Sequence, residues 1–200
     1  MIIVIKIGFA LLSYLLGSVP FGYILTKYYT GENIQKMGSG NVGSTNVGRI
    51  AGKKIATITQ LLDMMKGLFP VAIYFFLTNE NIVKLDNYMY WLALAAIFGH
   101  DFSVFLNFKG GKGVNTTLGA SVLIAPMPVF ISVAIHYIVK WQFKYVSIGS
   151  LVLGICLPLT ELIFYGITST FYYLLVCMLL IIFMHRTNII RLLNKQELTS

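Results

Sequence analysis

Charge is what this sequence has least of. Charged side chains make up 11% of its 200 residues, less than half of the ~25% with which a water-soluble domain covers its surface. A soluble fold built from this chain would leave far more apolar area exposed than water tolerates. Cysteine is nearly absent as well. Cys156 and Cys177 are the only two, both lie inside apolar runs, and they read as small buried hydrophobes rather than as a disulfide or metal site. The first apolar run lacks an A-x-A processing site and further runs follow it, so it reads as an uncleaved span rather than a leader.

What the chain has in quantity is hydrocarbon: 57% of its residues are hydrophobic and its mean hydropathy is +0.79. The bilayer is the solvent this composition fits, and the length fits one compact domain over residues 1–200. The net charge of +8 does not point to nucleic acid. Lysine and arginine sit in the short connections between apolar runs, the positive-inside pattern of membrane proteins.

A helix needs ~20 residues to cross the hydrocarbon, and that length is the measure for each apolar run. The runs cover residues 2–25, 55–77 (with Asp63 and Lys66 inside), 88–106, 114–139, 146–163 and 169–184, and a basic tail follows from 185. A polar stretch over 78–87 carries Glu80 and Asp86. Pro126 and Pro128 divide the fourth run in two, because each removes a helix donor and disfavours helical geometry in the residue before it. The expectation is an all-α, polytopic transmembrane bundle of about seven helices, with the N-terminus outside and the C-terminus cytoplasmic. Only that count puts the basic clusters 27–54, 109–112, 140–144 and 186–195 on one side. The two segments around Pro126 are short and must tilt, thin the bilayer or re-enter it.

Polar residues gather in a few places. Residues 38–49 interleave Gly38, Gly40, Gly43 and Gly48 with Ser39, Asn41, Thr45, Asn46 and Arg49. Closely spaced glycines let a backbone turn its amides toward an anion, and an arginine grips phosphate with two prongs. A flexible polar loop is the equally weighted alternative on spacing alone. A second cluster, Lys109-Gly110-Gly111-Lys112-Gly113, lacks the order of a nucleotide-hydrolase loop, yet its glycine turn opens a helix whose free amides suit an anion. In the third cluster, His185 and Asn188 share a helix face, where they can orient a hydroxyl or merely cap the last span. Ser147 and Ser150 form a fourth, weaker cluster that equally fits a helix cap. Asp63 and Lys66, three apart inside an apolar run, are a functional or a structural ion pair. His136 reads as structural.

In order along the chain, these segments resemble the PlsY family of bacterial glycerol-3-phosphate acyltransferases. The resemblance runs from Tyr14–Gly22 through residues 38–49, Leu62-Asp63-Met64-Met65-Lys66-Gly67, Gly99-His100-Asp101-Phe102 and the lysine loop to 185–197. It implies seven transmembrane helices with the motifs on the cytoplasmic side of a bacterial inner membrane. It also implies acyl transfer from acyl phosphate to the sn-1 hydroxyl of glycerol 3-phosphate, giving lysophosphatidic acid. By resemblance Ser39, Arg49 and Lys112 bind phosphate, and the backbone of Gly110, Gly111 and Gly113 shapes the glycerol 3-phosphate site. His185 and Asn188 act on the substrates, Glu197 holds the third motif, and either Ser147 or Ser150 contacts phosphate. Asn41, Thr45, Asn46, Lys109, Asp63, Lys66 and His100 are supporting residues. A soluble acyl-phosphate synthase is the implied partner beside membrane lipid, and no metal or organic cofactor is expected. The chain departs from the family at Ser103 (usually proline), which predicts a looser backbone before the lysine loop. It departs again at Asn115 (usually small and apolar) and at Lys195 (usually glycine).

An acyl phosphate is already activated, so a covalent enzyme intermediate is not required, and no cysteine lies in the motifs. The H-x-x-x-x-D pair of another large acyltransferase family is absent: Phe105, Trp141 and Ile190 stand five residues after the three histidines. The proton acceptor is therefore His185 or a substrate phosphate oxygen. The competing class is a transporter for a phosphorylated solute, which the broken fourth run and the Asp63–Lys66 pair would suit. Against it, the halves show no inverted repeat, and the motifs lie toward one face.

Overall fold

The computed structural model describes residues 2–80 and 86–199, and the part of the 78–87 stretch that falls at 81–85 lies outside them. The fold is all-α: α1 (Ile2–Ser18), α2 (Phe21–Thr30), α3 (Ser44–Asn79), α4 (Tyr88–Asp101), α5 (Val114–Ser121), α6 (Pro126–Phe143), α7 (Val146–Tyr165), α8 (Ser169–Met184) and α9 (Arg186–Leu193). Among the described residues, four stretches are long and apolar enough to cross a membrane, Val4–Thr30, Ser44–Asn79, Tyr88–Leu106 and Val146–Tyr165; α8 with α9, bent by 55°, would make a fifth. Large side chains such as Val4, Trp91, Phe130, Trp141, Ile163 and Leu179 point outward. That apolar exterior suits lipid rather than water.

Two of the sequence-derived boundaries are corrected. The first run is not one helix over 2–25: it breaks at Val19-Pro20 and continues as α2 to Thr30. Pro20 has no N–H to continue the ladder, and the carbonyl of Val19 at the break accepts the Lys66 ammonium at 2.9 Å. The second run starts eleven positions earlier than 55, at Ser44, because a short helical stretch precedes it; Gly52, with φ 84 and ψ 168, separates the two. The break expected in the fourth run is present, with α5 ending at Ser121 and Pro126 taking the first position of α6, where a missing donor costs nothing.

The chain forms two compact units, residues 1–123 and 124–200. In the first, α4 packs along α1 and α5 along α3, and the crossings are closed by glycine from both sides. A Cβ on Gly17 would run into the Ala96 carbonyl and one on Gly99 into that of Tyr14; Gly67 and Gly119 stand in the same relation to Thr116 and Met64. Small residues at such crossings replace the hydrophobic drive that lipid cannot supply with close backbone packing. Within residues 34–55, Ile34, Val42, Val47 and Ile55 join Leu106 in a small apolar core. The second unit packs α6 on α7, α7 on α8 and α8 on α9.

Candidate functional site

The glycine-rich segment at 38–49 is a turn running into a helix. Gly38 and Gly40 have positive φ, 56° and 72°, and α3 begins at Ser44 behind Gly43. The turn is held from inside by Asn46. Its Oδ1 accepts the Ser39 N–H at 3.0 Å, while its Nδ2 donates to the carbonyls of Met37 at 3.0 Å and Asn41 at 2.9 Å. Asn46 is therefore a brace of this turn, with its side-chain amide engaged on both sides. Asn41 supports the turn too, its Oδ1 accepting Gly43 N–H at 2.9 Å. Ser39 is half-buried, whereas Thr45 and Arg49 lie at the surface.

The lysine loop is built on the end of α4. Gly111 N–H donates to the His100 carbonyl at 2.9 Å and Gly110 N–H to that of Asp101 at 3.1 Å. Gly113, with φ 69°, ends the loop and precedes α5. Lys109 is exposed and Lys112 half-buried. This loop and the first turn are fastened to each other. Gln35 Nε2 donates to the Lys109 carbonyl at 3.3 Å, and Asn115 Nδ2 donates to Ser44 Oγ at 3.2 Å. The departure at Asn115 thus supplies a tether that a small apolar residue lacks. Ser103 likewise does not loosen the chain. Its hydroxyl donates to the Ser18 carbonyl, and its φ of −64° is one that proline shares.

Beneath the loop lie the buried charges. Lys66 Nζ is 2.8 Å from Asp63 Oδ1, and the same Asp63 oxygen is 3.7 Å from His100 Nδ1. A narrow crevice lined by Ser18, Phe21, Asp63, Lys66, His100 and Gly110 runs from this pair to the loop. Asp101, passed over in the sequence reading, is buried with neither carboxylate oxygen accepting a hydrogen bond. Its only signal was the adjacency to His100 in Gly99-His100-Asp101-Phe102. Gln35 gave no signal at all.

In the second unit, His185 sits at the joint between α8 and α9, buried, with Nδ1 2.8 Å from the Ile181 carbonyl. A carbonyl only accepts, so Nδ1 carries the hydrogen and the neutral ring keeps its lone pair on Nε2. Asn188 Nδ2 donates to Glu197 Oε1 at 2.6 Å, and Arg191 Nε lies 3.3 Å from Glu197 Oε2. Lys195 turns the chain back toward α9 with a left-handed φ of 56°. Its N–H bonds the Leu192 carbonyl, and that of Gln196 bonds the Arg191 carbonyl, a Schellman closure that favours glycine at this position. Ser147 and Ser150 are both buried near the start of α7, and the Ser147 hydroxyl has no partner. Among the described residues no three of His, Cys, Asp and Glu gather as a metal site would require.

These features define an integral membrane, all-α protein whose polar interior is assembled from glycine loops, amide braces and a buried ion pair. A family model for glycerol-3-phosphate acyltransferase matches residues 7–195, and the chain belongs to that family. It is 41% identical over 197 residues to the glycerol-3-phosphate acyltransferase of Clostridium acetobutylicum, covering 97% of this chain and 99% of that one. It is 40% identical over 185 residues to that of Neisseria meningitidis serogroup C, covering 92% of each. The crystal structure of PlsY, an integral membrane glycerol 3-phosphate acyltransferase, in its glycerol 3-phosphate form matches with a TM-score of 0.88 and 32% identity, over 98% of this chain and 95% of that one. Its lysophosphatidic acid form matches with a TM-score of 0.85.

Proposed function

We propose that this chain, a glycerol-3-phosphate acyltransferase by family, takes its acyl group from acyl phosphate and delivers it to the sn-1 hydroxyl of glycerol 3-phosphate. In this reading residues 1–200 act as one catalytic domain, crossing the bacterial inner membrane about seven times, with the motifs facing the cytoplasm. The observation that carries it is the fastening of two basic, glycine-rich loops to each other through Gln35–Lys109 and Asn115–Ser44. Both substrates bring phosphate, and two such loops at the edge of a low-dielectric medium collect negative charge.

The roles follow the family resemblance. Ser39, Arg49 and Lys112, with the Gly110, Gly111 and Gly113 backbone, hold phosphate. Ser147 or Ser150 adds a hydroxyl contact, and Asn188, held by Glu197, orients the reacting groups. The sn-1 oxygen attacks the acyl carbonyl carbon, the bond from that carbon to the phosphate oxygen breaks, and inorganic phosphate leaves. His185 Nε2 takes the hydroxyl proton, its lone pair directed by the Nδ1 bond to Ile181. The acyl chain comes from the membrane side, and a soluble acyl-phosphate synthase supplies the donor.

The test is the purified protein with acyl phosphate and glycerol 3-phosphate, read as lysophosphatidic acid formed. Solute uptake into vesicles without acyl transfer would instead favour a transporter. His185→Ala should lower kcat by roughly 10²- to 10⁴-fold, the worth of a general base. A variant that keeps near wild-type kcat would move the proton to a substrate phosphate oxygen.

A further inference from the structure

The loop that carries Lys112 needs its glycines for two different reasons. Gly113 has a left-handed φ of 69°, a conformation that most side chains avoid. Gly110 and Gly111 do not have a φ in that region, so backbone strain does not explain them. What forbids a side chain at Gly111 is a neighbour: a Cβ there would run into Nε2 of the His100 ring. The other edge of that ring faces Asp63, whose Oδ1 is 3.7 Å from Nδ1. Asp63 is itself fixed by Lys66 at 2.8 Å, and Lys66 by the Val19 carbonyl. The ring is therefore wedged between a buried ion pair and the loop. The His100 carbonyl takes the Gly111 N–H at 2.9 Å, so backbone and side chain of one residue both set where Gly111 lies.

We infer that His100 is a positioning residue for the phosphate-binding loop: its ring, seated on the Asp63–Lys66 pair, sets the height of the Gly110–Gly111 backbone and thereby the affinity for the phosphate of glycerol 3-phosphate. This rests on the reading that the loop binds that substrate. His100 touches the loop and not the reacting atoms, so its removal should weaken substrate binding and leave the chemical step nearly intact.

Steady-state kinetics of purified wild type, His100→Ala, Gly111→Ala and the double variant test this. Each single variant should raise KM for glycerol 3-phosphate about tenfold, with kcat and the donor KM within about threefold of wild type, since small misplacements of a binding group are costly. The double variant carries the decisive comparison. The three atoms nearest to a Cβ at Gly111 all belong to that ring, so with the ring gone the added methyl group loses its closest obstacles and the KM of the double variant should match that of His100→Ala alone. If the two effects multiply, or if kcat falls while KM stays, the positioning role is overturned. Where His100→Ala fails to fold, Gly111→Ala in a His100→Asn background makes the same comparison. A wild type whose rate does not saturate with glycerol 3-phosphate would overturn the reading of the loop itself. Normal wild-type saturation with unmoved KM in the variants would overturn only the role of His100.

Discussion

Two ion pairs in the first unit have nearly the same separation and opposite surroundings. Lys66 and Asp63 lie 2.8 Å apart with 2% of each side chain exposed, whereas Lys6 and Asp86 lie 2.6 Å apart with 41% and 45% exposed. Separation alone would rank them as equals. Surroundings rank them apart, because an exposed pair gains little over its hydrated partners, while a buried pair has given up that hydration and depends on every remaining contact. The buried pair has such contacts in the Val19 carbonyl and His100. The exposed one has Tyr74, whose hydroxyl donates to Asp86 Oδ1 at 2.8 Å. The buried pair therefore couples the broken first span, α3 and the end of α4 away from water, and the exposed pair joins the opposite end of α1 to α3 and to the residue before α4 in contact with water.

The largest effect should come from breaking the buried pair on one side. Lys66→Met leaves the Asp63 carboxylate without its cation and should cost about 3–5 kcal/mol, measured by denaturant unfolding in mixed micelles. Removing both charges, with Asp63→Leu added to Lys66→Met, should restore most of that loss. A double variant no better than the single one would mean that the cost lies in packing rather than in an orphaned charge. Arg191 and Glu197 supply an intermediate case, with 28% and 5% exposure and a further bond from Asn188. Glu197→Ala should cost about 1.5–3 kcal/mol, the range for hydrogen bonds to charged groups, and should lower activity through the loosened Asn188. An effect as small as that of the exposed pair would break the ranking by burial.

Much of this was legible from sequence, for reasons that differ by element. Apolar runs and the prolines at 126 and 128 act along the chain, and a linear reading finds them. The same proline argument applied to Pro20 would have found the break after α1, but the apolar residues on both sides of Gly17-Ser18-Val19-Pro20 masked it. Gly52 was one glycine among several, and only its φ of 84° distinguishes it. The brace made by Asn46, the Gln35–Lys109 bond and the wedge under Gly111 act across the chain, between residues whose partners no local pattern names. Lys195 was legible as an oddity, and the structure supplies its cost. A left-handed L-residue is about 1–2 kcal/mol dearer than glycine, against about 0.5–1 kcal/mol of extra backbone entropy that glycine loses on folding. Lys195→Gly should therefore stabilise the protein by roughly 0.5 kcal/mol, visible as a small rise in the unfolding midpoint. A fall would mean that the lysine side chain is itself holding the tail.

Of the three ion pairs, the exposed one should have the smallest effect. Lys6→Met should cost less than about 1 kcal/mol, and added salt should erase much of even that, since exposed charges are screened. The pH dependence fixes the sign. The hydrogen bond from Lys6, assisted by those from Tyr74 and the Tyr88 N–H, holds the Asp86 carboxyl below its ordinary value of 3.8. A carboxylate whose folded pKa is lowered adds stability above its unfolded value and loses it as the pH falls through the folded one. The gap between wild type and Lys6→Met should thus be constant from neutral pH down to about 5 and close progressively as the pH falls further, through the ordinary aspartate value and the lowered folded one. The Lys66→Met loss, measured in parallel at neutral pH and high salt, should persist. If high salt abolished both losses alike, burial would no longer separate the two pairs.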